Sequence, residues 1–224
     1  MNLWDAFTCA SRRIGFIGIS RRIRETLYTN MKNKELLSAS QDSVWGSGLY
    51  LPKETDGGET TYCNLATTAV LRAMGCTELD GLTADDMYAC VKASKNWLIK
   101  PMADAQFLVN CGSVLIAILP SSRLGQSHGH VCTLTPGQPD YSGHWDKHTP
   151  LCMNLGRKGT CFRSRGINWA FVPEPEIIMP AEASNFAKTE KCLMKIGFAE
   201  FSDIMVIYAF EREGFCKRQE SIRE

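Results

Sequence analysis

Hydrophobic positions change their period about halfway along the chain. Between residues 20 and 37, Ile23, Leu27, Met31 and Leu36 recur on one side of a predicted helix. The stretch 38–60, SASQDSVWGSGLYLPKETDGGET, is rich in Ser, Gly and Asp and reads as a long surface loop that rims a cleft. A helix is expected over 61–74, with Leu65, Ala66, Ala69, Val70 and Ala73 on its apolar side and Gly75 as its stop. GLTADDMYACVKAS opens another, with Thr83 as N-cap and Asp85 and Asp86 in the first turn, where acids suit the helix dipole. KPMADAQFLVNCG places Pro101 at a helix start and Gly112 just past its end. From there the pattern is strand-like. SVLIAIL is a continuous apolar run, HVCTLTP alternates, and LCMNLG and INWAFVP are two short runs separated by a Gly/Arg-rich turn. A helix around Asn185 to Lys195 and a strand, IMVIYAF, complete the reading. Helices followed by strands predict an α+β fold, with N-terminal helices packed on a central antiparallel sheet.

The 224 residues are 44% apolar and 22% charged, which is enough to bury a core without covalent staples. A net charge of +1 gives no global argument for nucleic acid or anionic lipid as partner. The charge is uneven: residues 1–35 carry Arg12, Arg13, Arg21, Arg22, Arg24, Lys32 and Lys34 against Asp5, Glu25 and Glu35. A solvated helix face and a docking surface for anions are both open readings of that segment. Ten cysteines without a CxxC argue against zinc ribbons and thioredoxin-type redox chemistry, and for mostly reduced, packed thiols. Asp5 and the Arg pairs break any signal-peptide core, and Val114–Leu119 is too short to span a bilayer, so a protein made in the cytoplasm without a transmembrane segment is expected.

Cys63 stands at the join between the polar loop and the first strongly apolar helix, just after Thr60 and Thr61, either of which could cap. A thiolate at a helix N-terminus is stabilised by unpaired N–H groups and by the positive end of the dipole, which lowers its pKa. SHGHVCTL puts His130 at the start of an alternating strand, where it can serve as general base to the thiol and general acid to a leaving amine. Gly129 before it leaves room for close approach. His128 would share the strand face if the strand extends that far, and is the alternative base. Asn154, on the next strand, offers a neutral amide to orient the imidazole through its other nitrogen. Cys, His and Asn in this order suit a nucleophilic triad.

TYCNLATTAVLRAMG, NWLIKPMADAQFLVNCGSVLIAIL, GHVCTL, MNLGRKG and NWAFVP, in this order, resemble the papain-like amidohydrolases of the CHAP and NlpC type, closest to the peptidoglycan-degrading members of phages and bacteria. The resemblance covers roughly residues 45 to 180, and its sharpest motifs are Cys63-Asn64 and Gly129-His130-Val131. It implies Cys63 as nucleophile, His130 as base, Asn154 as orienting residue, and an oxyanion site at the Cys63 N–H with one further donor, for which the Tyr62 side chain is one candidate. It divides the chain into a basic helical segment (1–44), a cysteine hydrolase domain (45–183) and a C-terminal extension (184–224). Tyr62, Asn64, His128 and Trp145 are the expected substrate contacts, peptidoglycan or a peptide the expected partner, with no cofactor. Release to a cell wall or assembly into a phage particle would follow synthesis. A fold-retaining binding protein without catalysis, or a protease acting on proteins, are the alternatives. His144, His148 and Cys152 are four apart and would form a zinc face on a helix, but Gly143 and Pro150 argue against a helix there, so no metal is expected.

Overall fold

The structure, a computed structural model, describes residues 21–56 and 58–181. The expected C-terminal helix and strand, and the basic residues before 21, lie outside them. The compact unit that carries the site spans Thr29–Ser184.

Helix α1 (Arg21–Ser47) runs ten residues beyond the expected end at 37, into what the sequence suggested was loop. Its inward stripe explains why. Leu37, Ser40, Gln41 and Val44 are buried at positions i, i+3, i+4 and i+7, whereas Leu36 is largely exposed. Two of those four are polar, which hid the period. Gln41 Nε2 donates to Thr133 Oγ1 at 3.0 Å and to the Leu134 carbonyl at 2.8 Å, so a buried amide bolts α1 to the central sheet. The expected domain boundary between 44 and 45 therefore falls inside a helix whose second half belongs to the core. The rest of the loop holds a small hairpin, β1 (Lys53–Thr55) with β2 (Gly58–Thr60).

Helix α2 (Cys63–Ala73) is shorter than expected by a residue or two at each end. Its buried stripe is Cys63, Ala66, Thr67, Val70 and Leu71, one residue round from the expected one, and Leu65 faces out. Full burial of Val70 and Leu71 contributes roughly 1.5–3 kcal/mol each. The helix ends as the sequence suggested, with Gly75 at φ 84° and the Cys76 N–H bonded to the Leu71 carbonyl at 2.9 Å. Helix α3 (Ala84–Ala93) has Thr83 as N-cap, its side chain accepting from the Asp86 N–H. Helix α4 (Met102–Asn110) follows Pro101 and ends at Cys111 and Gly112. Gly112 is needed there twice over: φ is 85°, and an added Cβ would fall 2.3 Å from the Asn30 carbonyl of α1.

The main sheet has six strands: β3 (Trp97–Lys100), β4 (Ile116–Leu119), β5 (His130–Leu134), β8 (Leu151–Asn154), β9 (Phe162–Gly166) and β10 (Glu176–Pro180). Its order is β3-β10-β4-β5-β8-β9 and every neighbouring pair is antiparallel. The molecule is thus α+β. All four residues of β4 are buried, as befits a central strand with both faces covered, and this is why its sequence is continuously apolar. By alternation along β5, Thr133 faces α1 while His130 and Cys132 face α2. A second hairpin, β6 (Asp140–Ser142) with β7 (Lys147–Thr149), is tied to β9 where the Gly166 N–H donates to Asp140 Oδ2 at 2.7 Å. A short helix, α5 (Ser121–Leu124), lies between β4 and β5.

INWAFVP is not a strand. It forms a 3-10 turn at Ile167–Trp169 and a crossing segment. Ile167 and Phe171 are buried while Trp169 is exposed, a four-residue spacing where a strand would have buried all three. The strand of this region is instead the expected turn, Phe162–Gly166, an outer strand that tolerates Arg163 and Arg165. No helix among the described residues is long and apolar enough to cross a membrane.

Candidate active site

Cys63 is the first residue of α2 and only 6% exposed. Neither threonine caps the helix. Tyr62 occupies the N-cap position and makes no side-chain capping bond, so the first-turn N–H groups stay available to the sulfur. The His130 side chain and the backbone N–H groups of Val131 and Asn64 surround the thiol and stabilise its charged form. Burial pushes its pKa up, but the hydrogen bond and charge of His130, with the two N–H groups, outweigh burial and hold it below the ordinary thiol value. His130 shows the converse. Burial pulls its pKa down, and the bond to Cys63, the thiolate charge and the bond to Asn154 raise it above the usual imidazole value, against the opposing charge of Arg157. Both shifts favour a thiolate–imidazolium pair.

The third member fixes the ring. His130 Nε2 lies 2.8 Å from Asn154 Oδ1, and Asn154 Nδ2 donates to the Thr160 carbonyl at 2.8 Å. A carbonyl can only accept, so the amide must face the histidine with its oxygen. Nε2 then carries the proton, which leaves Nδ1 for the sulfur. Asn154 is buried, and the register shift between Cys152 and Asn154, where β8 meets β9, sits beside it. Two further residues complete the surroundings of the ring. Phe171 packs against the imidazole with centroids 4.9 Å apart, and an added Cβ on Gly156 would lie 3.3 Å from both His130 Cε1 and Asn154 Oδ1. Sequence reasoning missed Phe171, Gly156 and Thr160. The only signal was the short Asn154-Leu155-Gly156 stretch, since Phe171 is distant in the chain.

The other expected site residues fall elsewhere. His128 is exposed, and β5 begins at His130, so the two histidines do not share a strand face. Asn64 Nδ2 donates to the Leu82 carbonyl at 2.9 Å, a bond that ties α2 to the segment before α3 and commits the amide to the fold. Tyr62 is half-buried next to Cys63, with Lys53 Nζ 5.6 Å from its ring centre. Trp145 is on the turn of the β6–β7 hairpin, with Lys147 Nζ 5.8 Å from its ring. His144 is exposed on that turn, His148 is on β7, and Cys152 is buried in β8. These three are not gathered, and the described residues contain no group of three or more His, Cys, Asp or Glu able to hold a metal.

All seven described cysteines are free thiols. Cys132, two residues along β5 from His130, lies against Cys152 of β8, and burial pushes its pKa well up, so it stays a neutral thiol. The rim is charged. Arg157 Nη2 donates to Gln126 Oε1 at 3.2 Å, and Lys158 Nζ lies 3.6 Å from Glu54 Oε1 of β1, while its backbone N–H bonds to the Glu59 side chain of β2. No family model matches the chain, and no curated protein matches it either.

Proposed function

We propose that this chain is a papain-like cysteine hydrolase that cleaves amide bonds in peptidoglycan, as an amidase or an endopeptidase. The observation that carries this is the linked set of Cys63 at an open helix N-terminus, His130 bonded to its sulfur, and Asn154 holding the far nitrogen of the ring.

The chemistry follows from the protonation states. The Cys63 thiolate attacks the amide carbonyl carbon, and the carbonyl π pair moves to oxygen. The Cys63 N–H, a first-turn donor without an intrahelical partner, receives that oxyanion. The His130 imidazolium then gives its Nδ1 proton to the leaving nitrogen as the C–N bond breaks, producing an amine and a thioester. Water attacks the thioester, His130 takes its proton, and the S–C bond breaks to release the acid and restore the thiolate. Asn154 keeps the ring in the tautomer that both proton transfers need.

Purified peptidoglycan incubated with the full chain should release new amino groups and no new reducing ends. Iodoacetamide should abolish that release with the label on Cys63. Release of reducing ends alone, or undiminished release by Cys63→Ala protein, would overturn the proposal.

A further inference from the structure

We propose that Asp85 is a positioning residue for His130, holding the segment that delivers the histidine to Cys63. The inference rests on the catalytic reading above and extends it to a residue outside the triad.

Residues 120–129 link β4 to β5 and so lead directly into His130. Asp85, in the first turn of α3, grips both ends of this connection: Oδ1 accepts the Ser121 N–H at 2.6 Å and Oδ2 accepts the Gly129 N–H at 2.9 Å. Each carboxylate oxygen accepts a main-chain N–H, and the Ser121 side chain also bonds to the carboxylate. An acceptor-only side chain is required, because an amide would turn an NH2 towards one of the two N–H groups. Gly129 is also squeezed. An added Cβ would lie 3.0 Å from Asp85 Oδ1 and 3.0 Å from the Leu119 carbonyl. Leu119 is in turn the register partner of His130. The backbone immediately before His130 is therefore fixed between a carboxylate and the neighbouring strand. The connection is tied elsewhere by Arg123, whose Nη1 donates to Glu176 Oε1 of β10 at 3.2 Å, and by the exposed Arg157–Gln126 bond. Burial pushes the Asp85 pKa up, but bonds from the Ser121 and Gly129 N–H groups and the Ser121 side chain, with the exposed His128 as a nearby charge, outweigh it and hold the carboxyl below its ordinary value. The charged and titratable groups acting on His130 itself are Cys63 and Arg157.

A structural brace and a positioning residue differ in one readout, the pH dependence of Cys63 alkylation. Full-length wild type, Asp85→Asn, Gly129→Ala and Thr83→Ala are treated with iodoacetamide across pH 4–10, with the labelled peptide quantified by mass spectrometry and folding checked by circular dichroism. Thr83→Ala removes the N-cap of the same helix and leaves the clamp atoms in place. We expect Asp85→Asn and Gly129→Ala to raise the alkylation midpoint by about half to one pH unit, lowering the rate below the midpoint roughly 3- to 10-fold. Thr83→Ala should lower the melting temperature without moving the midpoint. If Asp85→Asn does not fold, Gly129→Ala, which keeps every charge, decides the matter. A depressed wild-type midpoint that neither substitution moves overturns this inference alone. An ordinary thiol midpoint in the wild type overturns the catalytic reading and this inference with it.

Discussion

Replacing Asn154 with alanine separates the orienting role from the chemistry. The bond from Nε2 to Oδ1 is 2.8 Å long, and its acceptor is buried. A hydrogen bond to a charged group in such a setting contributes about 1.5–3 kcal/mol. Here it favours the imidazolium, so its loss lowers the His130 pKa. Thr160 is an exposed residue whose carbonyl water can reach once Asn154 is gone, so the penalty is felt mainly at the ring. With less imidazolium to hold the thiolate, the reactive pair becomes scarcer, and hydrolysis should fall roughly tenfold to a hundredfold. The sign is also fixed. His130 is raised in the folded protein, so the pair is lost as pH rises through its pKa, and Asn154→Ala moves that alkaline limb to lower pH. Asn154→Asp, which sets a negative charge beside the ring, should move it the other way. Hydrolysis profiles from pH 5 to 10, with melting curves to establish folding, test both. Activity within twofold of wild type at every pH, or limbs that shift in the reverse directions, would refute the tautomer argument.

Other outcomes follow from the same geometry. Cys63→Ala should leave only background hydrolysis, and His130→Ala should lose roughly 10²–10⁴-fold; the double variant should be no worse than Cys63→Ala, and His128→Ala should match wild type in the same assay. A chelator should leave the rate unchanged, and loss restored by added zinc would instead implicate a metal. Gly112→Ala combines a positive φ with contact against the α1 backbone, so a cost of about 2–3 kcal/mol, read as a melting-temperature drop of about 4–12 °C, is expected. Asp85 has a depressed pKa, so its contribution is present above its ordinary value of 3.8 and is lost as pH falls through the lower folded value. Melts between pH 7 and 2 should therefore show a shallower acid limb for Asp85→Asn than for wild type.

The chemistry of the site was easier to read from the sequence than its frame. Cys63, His130 and Asn154 could be picked out because each sits where a hydrophobic period begins or ends, and the structure brings them together. The strands β4, β5 and β8 were legible for the same reason. What failed was any element whose burial depends on distant partners. The second half of α1 was hidden because Ser40 and Gln41 face the core, and only the bonds to Thr133 and the Leu134 carbonyl make a buried glutamine tolerable. The strands Trp97–Lys100 and Glu176–Pro180 were missed because each is short and flanked by proline, and they gain their identity by pairing with each other across nearly eighty residues of chain. Asp85 looked like an ordinary first-turn acid. Local sequence explains its helix position, while its grip on Ser121 and Gly129 depends on the fold.

The place of β10 has a consequence for how the chain reaches its native state. It is the last strand of the described sheet in sequence, yet it lies between β3 and β4. Until residues 176–180 arrive, β3 has no partner in the main sheet and β4 presents an open edge of wholly buried-type side chains. Such long-range pairing is intrinsically slow, and an unpaired apolar edge invites association with other chains. During synthesis, Cys63 and His130 would emerge well before the strand that closes the sheet. A chain interrupted just before residue 176 would carry all three reactive residues on an incomplete scaffold, and aggregation would be its characteristic failure.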